Sequence, residues 1–196
     1  MKLLLILLSI INLNRDNCVM FRGGGFSGFW YFYNKTNMVT NSDKIYCYSS
    51  GCLAVIASIP PNNKQYIYDM VLEIKNFYKN NTVKIYEIRE KFIDNIINIP
   101  IVEYNINIIT STYTGKCIIE KPDTIDKLRQ LLLDTTNIPI ITSRLGYTNI
   151  DGIFCKLRHP ICETTYSIPK TFRFFINIFN PFITIDDVKY FSEWNY

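Results

Sequence analysis

Three short segments of this chain place reactive or anion-binding groups where one regular element gives way to the next. The first is Gly23-Gly24-Gly25-Phe26-Ser27-Gly28, after the strand-like run Asn17 to Phe21 and before an apolar stretch, Gly28 to Tyr33, that reads as a helix. Glycines let the backbone turn sharply there and leave N–H groups facing an anion at the helix start. The spacing is neither a dinucleotide GxGxxG with its later acidic residue nor GxxxxGK[ST], so a P-loop is excluded. The second segment is Cys47-Tyr48-Ser49-Ser50-Gly51, again with a strand before it and a helix after it. A serine at such an elbow is held exposed at a helix N-terminus, which lowers the cost of negative charge. The usual elbow is G-x-S-x-G, and Cys47 stands where its first glycine would be. Read alone, Ser49 or Ser50 is also an ordinary helix cap. The third segment is Asp151-Gly152, which alone is a turn signal.

The elements that must position these groups alternate between strand and helix. Ile45 to Tyr48 reads as a strand and Ser49 to Ser58 as a helix stopped by Pro60 and Pro61. Lys64 to Lys79 carries Ile67, Met70, Val71, Ile74, Phe77 and Tyr78 at helical spacing, and Ile85 to Ile97 reads likewise. Val102 to Thr112, the turn Gly115-Lys116 and Cys117 to Glu120 form a hairpin signal. Pro122 and Asp123 open a helix through Leu133, with Asp123 as its expected N-cap. Ile140 to Thr142 reads as a strand, Tyr147 to Phe154 as two strands turning at Asp151-Gly152, Thr171 to Phe179 as a late strand, and Ile185 to Trp194 as a closing helix. Alternation of this kind implies an α/β layer fold with a largely buried, mostly parallel sheet.

Composition narrows the function classes. The 196 residues suit one domain, and 48% hydrophobic against 19% charged residues supply a full core. Net charge is +4, but the 21 basic residues are scattered, so a nucleic-acid partner is not expected. Lys2 and the apolar run Leu3 to Ile11 have the pattern of a secretory signal without a small-residue cleavage site. A short interfacial anchor and a buried first element fit them equally, and the run is too short to span a bilayer. Residues 1–16 are therefore set apart from a domain over 17–196. The six cysteines form no CxxC pair and there is one histidine, so a Cys/His zinc site is not expected, and nothing in the sequence implies another metal or an organic cofactor. Cys47 and Cys52 read as small buried residues, and a Cys155–Cys162 bridge is conceivable only in a secreted chain. Two sequons, at Asn34 and Asn80, would matter only in that compartment.

In order and spacing, the three segments together resemble the patatin-like phospholipase family: a GGGxxG oxyanion loop, a GxSxG nucleophile and a DG[GA] aspartate. The likeness extends further. Gly25 to Tyr31 is similar to the loop-to-helix passage of that family's lipid-droplet lipases, and Ser49-Ser50-Gly51-Cys52-Leu53-Ala54 to its S-A-G-A-L-x. Tyr113 to Lys116 resembles its T-x-G hairpin, and Asn137-Ile138-Pro139 its turn before the aspartate strand. The resemblance covers about residues 18–153. It implies a three-layer α/β/α fold and a lipid acyl hydrolase, phospholipase A-like or a neutral-lipid esterase. Ser49 would be the nucleophile, Asp151 the base, and the backbone of Gly23, Gly24, Gly25 and Phe26 the oxyanion hole. The implied partners are a phospholipid or acylglycerol substrate and a peripheral membrane or lipid surface. Cys47, Ser27 in place of a basic residue (Arg22 lies upstream) and Ile153 depart from the family pattern. They motivate the alternative of a catalytically impaired membrane- or protein-binding module. A Ser49–Asp151–His159 triad is a further arrangement, although eight residues between the last two is a short spacing.

Overall fold

A computed structural model describes residues 16–39, 43–79, 84–100, 103–139, 141–142, 149–156, 159–178, 180 and 184–193. The Leu3 to Ile11 run and the Asn80 sequon lie outside them. In chain order the elements are β1 (Asp16–Phe21), α1 (Gly25–Lys35), β2 (Lys44–Cys47), α2 (Ser50–Ser58), α3 (Lys64–Lys79), α4 (Ile85–Ile96), β3 (Ile106–Ser111), β4 (Cys117–Glu120), α5 (Ile125–Thr135), β5 (Ile150–Asp151), β6 (Cys162–Tyr166), α6 (Phe172–Ile176) and α7 (Ile185–Glu193).

The fold is α/β, with a mixed, mostly parallel sheet in the order β4-β3-β2-β1-β6. β1 pairs in parallel with β2 and β6, and β2 with β3. β4 and the two-residue β5 both run antiparallel to β3. β4 and β5 meet the same residues, Thr110 and Ser111, and so occupy opposite edges of β3. β2 pairs only with the earlier part, Ile106 to Ile108. β5 therefore takes up the edge of β3 beyond the end of β2, in line with the elbow that follows Cys47.

The alternation of strand side chains divides the core in two. Phe21, Ile45, Cys47, Ile106 and Ile108 join one large cluster, to which each of the seven helices contributes. Cys18, Met20, Tyr46, Tyr48 and Ile109 form a second, smaller cluster that contains no helix residue. α1 is buried over seven consecutive residues, Ser27 to Tyr33, as expected of a helix apolar on every side. Its rings pack against one another and outward, with Phe29 and Phe92 edge-to-face at 5.1 Å. The aromatic excess is thus largely core. No helix among the described residues is long and apolar enough to cross a membrane.

Four sequence-based expectations are corrected. The Thr171 to Phe179 run contains a helix, α6, in which Phe174 is buried while Phe172, Phe175 and Ile176 are exposed. A short apolar run does not by itself distinguish strand from helix. Ile141 and Thr142 form a turn, both amides donating to the Ile138 carbonyl. Of the two strands expected over Tyr147 to Phe154, the first is seen at Ile150–Asp151, with residues 147 and 148 outside the described residues, and in place of the second Gly152–Phe154 is a 3-10 turn. The N-cap of α5 is Thr124, whose Oγ1 accepts from the Lys127 amide at 3.1 Å, not Asp123.

Candidate active site

The nucleophile candidate sits on a strained turn. Ser49 has φ 55° and ψ −138°, the sole positive φ outside glycine among the described residues. Such a conformation costs about 1–3 kcal/mol and persists only where its surroundings enforce it. Three constraints do so here. The Ser49 amide donates to Thr135 Oγ1 at 2.9 Å. Its carbonyl accepts from Cys52 at 3.0 Å, opening α2. Gly51 lets the helix start slide under the end of β1, where a Cβ would collide with the Phe21 and Arg22 carbonyls. Although Ser49 stands at the N-cap position, its hydroxyl does not cap the helix. It lies instead near the Asp151 carboxylate, close enough to favour the charged form of that group. The fold brings near one another two residues that the sequence set in separate motifs, 102 positions apart.

Asp151 is 1% exposed. Pairing with Thr110 on β3 and a hydrogen bond from its amide to the Asn137 carbonyl at 3.0 Å hold its backbone. The Asn137 side chain donates to the Asn149 carbonyl at 2.8 Å and braces the same strand from its start. The carboxylate accepts from the Ile153 amide at 3.0 Å, which closes the 3-10 turn. Burial raises the Asp151 carboxyl to about 7, against the nearby Ser49 hydroxyl and the Ile153 amide, which favour its charged form. A carboxyl poised there can take a proton at neutral pH.

The glycine loop lies against the nucleophile: a Cβ on Gly23 would stand 3.3 Å from Ser49 Oγ. Of the four expected oxyanion donors, three are engaged. The Gly23 backbone hydrogen-bonds the Tyr48 phenol. The Gly24 amide donates to Ser50 Oγ at 2.9 Å, and the Phe26 amide to the Ile178 carbonyl at 2.8 Å. Among the described residues the Gly25 amide makes no hydrogen bond. Gly25 also borders a cavity of about 110 Å³ that Ser49 and Ser50 line together with Trp30, Leu53, Ile88 and Phe92. The walls are predominantly apolar, with Arg89 a buried exception whose Nη1 donates to the Thr136 carbonyl and Thr142 Oγ1.

Ser27 is fully buried, and its hydroxyl donates to the Phe174 carbonyl at 3.0 Å. It ties α1 to α6. His159 stacks on Tyr48 with ring centroids 5.0 Å apart, and its Nε2 lies 3.0 Å from the Gly152 carbonyl. That carbonyl can only accept, so Nε2 carries the proton and is engaged beside Asp151. Burial pushes the Tyr48 phenol up, Arg22 pulls it down, and the nearby Asp151 charge raises it further.

The cysteines require a second set of corrections. All six are paired, as Cys18–Cys162, Cys47–Cys52 and Cys117–Cys155. Cys155 therefore does not bridge to Cys162, and Cys47 and Cys52 are disulfide partners astride the nucleophile as well as buried. Ligand atoms of Cys117, Cys155 and His159 lie within 4.8 Å of one another. Metal ligation needs thiolates, and sulfurs joined in a disulfide do not supply them.

Sequence reasoning missed Thr135, Asn137 as a brace, and Ser50. Asn137 was visible only as part of a turn. A threonine at a helix end carries no signal that its hydroxyl reaches a residue 86 positions away. No protein-family model matches the chain, and no curated protein matches it in sequence.

Proposed function

We propose that this chain is a serine acyl hydrolase of the patatin-like type that cleaves fatty acyl esters of a phospholipid or neutral lipid. The observation that carries the reading is the strained Ser49, whose hydroxyl lies near a buried carboxyl raised to about 7 beside an apolar cavity. Asp151 takes the Ser49 proton as Oγ attacks the ester carbonyl. The oxyanion forms next to the Gly25 amide and the N-terminus of α2. Asp151 then returns the proton to the departing alcohol, and a water activated by the same carboxylate releases the fatty acid from Ser49. The cavity walls suit an acyl chain. The exposed apolar side of α6, next to the glycine loop through Ser27 and Ile178, suits a lipid surface. The family's three-layer form belongs to this proposal as well; the described helices all feed one of the two core clusters and do not themselves supply a second helical layer.

A second reading, a non-catalytic binding module on the same fold, is favoured by the engaged Gly24 and Phe26 amides. A fluorophosphonate probe separates the two. Labelling of wild type but not Ser49→Ala, with release of fatty acid from a lipid panel, supports the hydrolase. Well-folded wild type that neither labels nor turns over any lipid supports the module.

A further inference from the structure

Both members of the Ser49–Asp151 pair are held by one short segment at the C-terminal end of α5. The Thr135 hydroxyl accepts from the Ser49 amide at 2.9 Å and donates to the Ile109 carbonyl at 2.7 Å. Ile109 precedes Thr110, the residue paired with Asp151 across β3 and β5. Two positions after Thr135, the Asn137 carbonyl accepts from the Asp151 amide. Thr135 is fully buried, so water does not replace either bond if its hydroxyl is lost. A hydroxyl offers one proton and can accept in return; this one does both, across the gap between nucleophile and base.

We propose that Thr135 is the positioning residue of this site: its hydroxyl clamps the strained Ser49 backbone to the strand that carries the base. The proposal rests on the hydrolase reading for its catalytic consequence, but the clamp itself is a structural claim. The Ser49 amide turns inward because of its positive φ and needs an acceptor where no helix or sheet partner is in place. Without the hydroxyl, a buried N–H and a buried carbonyl both lose their partner, and the turn has reason to relax toward an ordinary conformation. Such a relaxation moves Oγ relative to Asp151 and leaves the apolar cavity in place, so kcat should fall and KM should not.

The test compares Thr135→Val, which keeps the shape, with Thr135→Ser, which keeps the hydroxyl. Thr124→Ala removes the N-cap of the same helix and serves as a control for general destabilisation. Ester hydrolysis, fluorophosphonate labelling and amide exchange at Ser49 by NMR are the readouts. Thr135→Val is expected to lose about 10- to 100-fold in kcat and labelling rate, the scale of an ångström of misplacement, with KM little changed. Its Ser49 amide should exchange faster than in wild type, and Thr135→Ser should restore all three readouts. Wild-type labelling and Ser49 exchange in folded Thr135→Val overturn the proposal, and so does an equal loss in Thr124→Ala. Equal impairment of Thr135→Ser shows that volume rather than the hydroxyl matters and overturns it too. If wild type shows no turnover but Ser49 exchange rises in Thr135→Val alone, the hydrolase reading fails and the clamp stands.

Discussion

Asp151 pits folding against chemistry. Its carboxyl is raised from 3.8 to about 7, mainly by burial, so the folded protein holds this proton more tightly than the unfolded chain does. The contribution to stability is complete below the unfolded value and is lost as pH rises through the folded one. Asp151→Asn removes the buried charge at nearly constant shape. It is expected to be more stable than wild type at pH 8, by up to about 4 kcal/mol for a shift of this size, and to lose that advantage toward pH 4. Thermal denaturation across that range measures the difference. Activity should run the opposite way: the wild-type labelling rate climbs with pH and levels off above about 7, whereas Asp151→Asn stays inactive throughout. Ser50 calls for a different substitution. Its Oγ holds the Gly24 amide that an oxyanion would need. Ser50→Ala frees that donor at the cost of a bond worth about 1 kcal/mol, so the labelling rate is expected to rise roughly fivefold. An unchanged second-order rate constant would mean that Gly24 takes no part.

Between single residues and the whole fold stands the β2–elbow–α2 unit. Its sharpness depends on the close approach of Gly51 to the end of β1. Gly51→Ala must push α2 away from two backbone carbonyls, and overpacking against backbone costs about 3 kcal/mol or more. Urea unfolding should show that loss, and labelling should fall with it because Ser49 is the N-cap residue of α2. This unit was legible in the sequence because its signals are local: strand residues, a serine, a glycine and a run of small apolar residues. α3, α4 and the β3–β4 hairpin were legible for the same reason, through period or turn chemistry. The segment after Asp151 was not. There the chain closes a 3-10 turn because the Asp151 carboxylate accepts from Ile153, a preference that the apolar Ile153 and Phe154 conceal. α6 was hidden differently, since a five-residue helix is too short to display a period. The nearness of Ser49 and Asp151 was legible only through motif order. What creates it physically is the register by which β5 continues beside β3 where β2 has stopped.

Across the whole molecule, the cysteines impose a condition that composition alone left open. Six cysteines dispersed from position 18 to position 162 all find partners in the fold. Disulfides form and persist in oxidising compartments, so the fold depends on redox conditions at three places. The three bridges have unequal reach. Cys18–Cys162 spans 144 positions and ties β1 to its neighbour β6, whereas Cys47–Cys52 spans five and encloses only the elbow. In the chain-entropy account the long bridge contributes about 5 kcal/mol and the short one about 2. Replacing Cys18 and Cys162 by alanine is therefore expected to lower the denaturation midpoint of the entire chain. Replacing Cys47 and Cys52 should cost less globally and act mainly on the labelling rate of Ser49, whose turn that bridge encloses. Alkylation of the unreduced, unfolded chain followed by mass measurement checks the premise: no cysteine should be modified until a reductant is added. If the chain isolated from its native source takes up alkylating agent at all six positions, the bridges are not formed there, and the elbow then relies on Thr135 and Gly51.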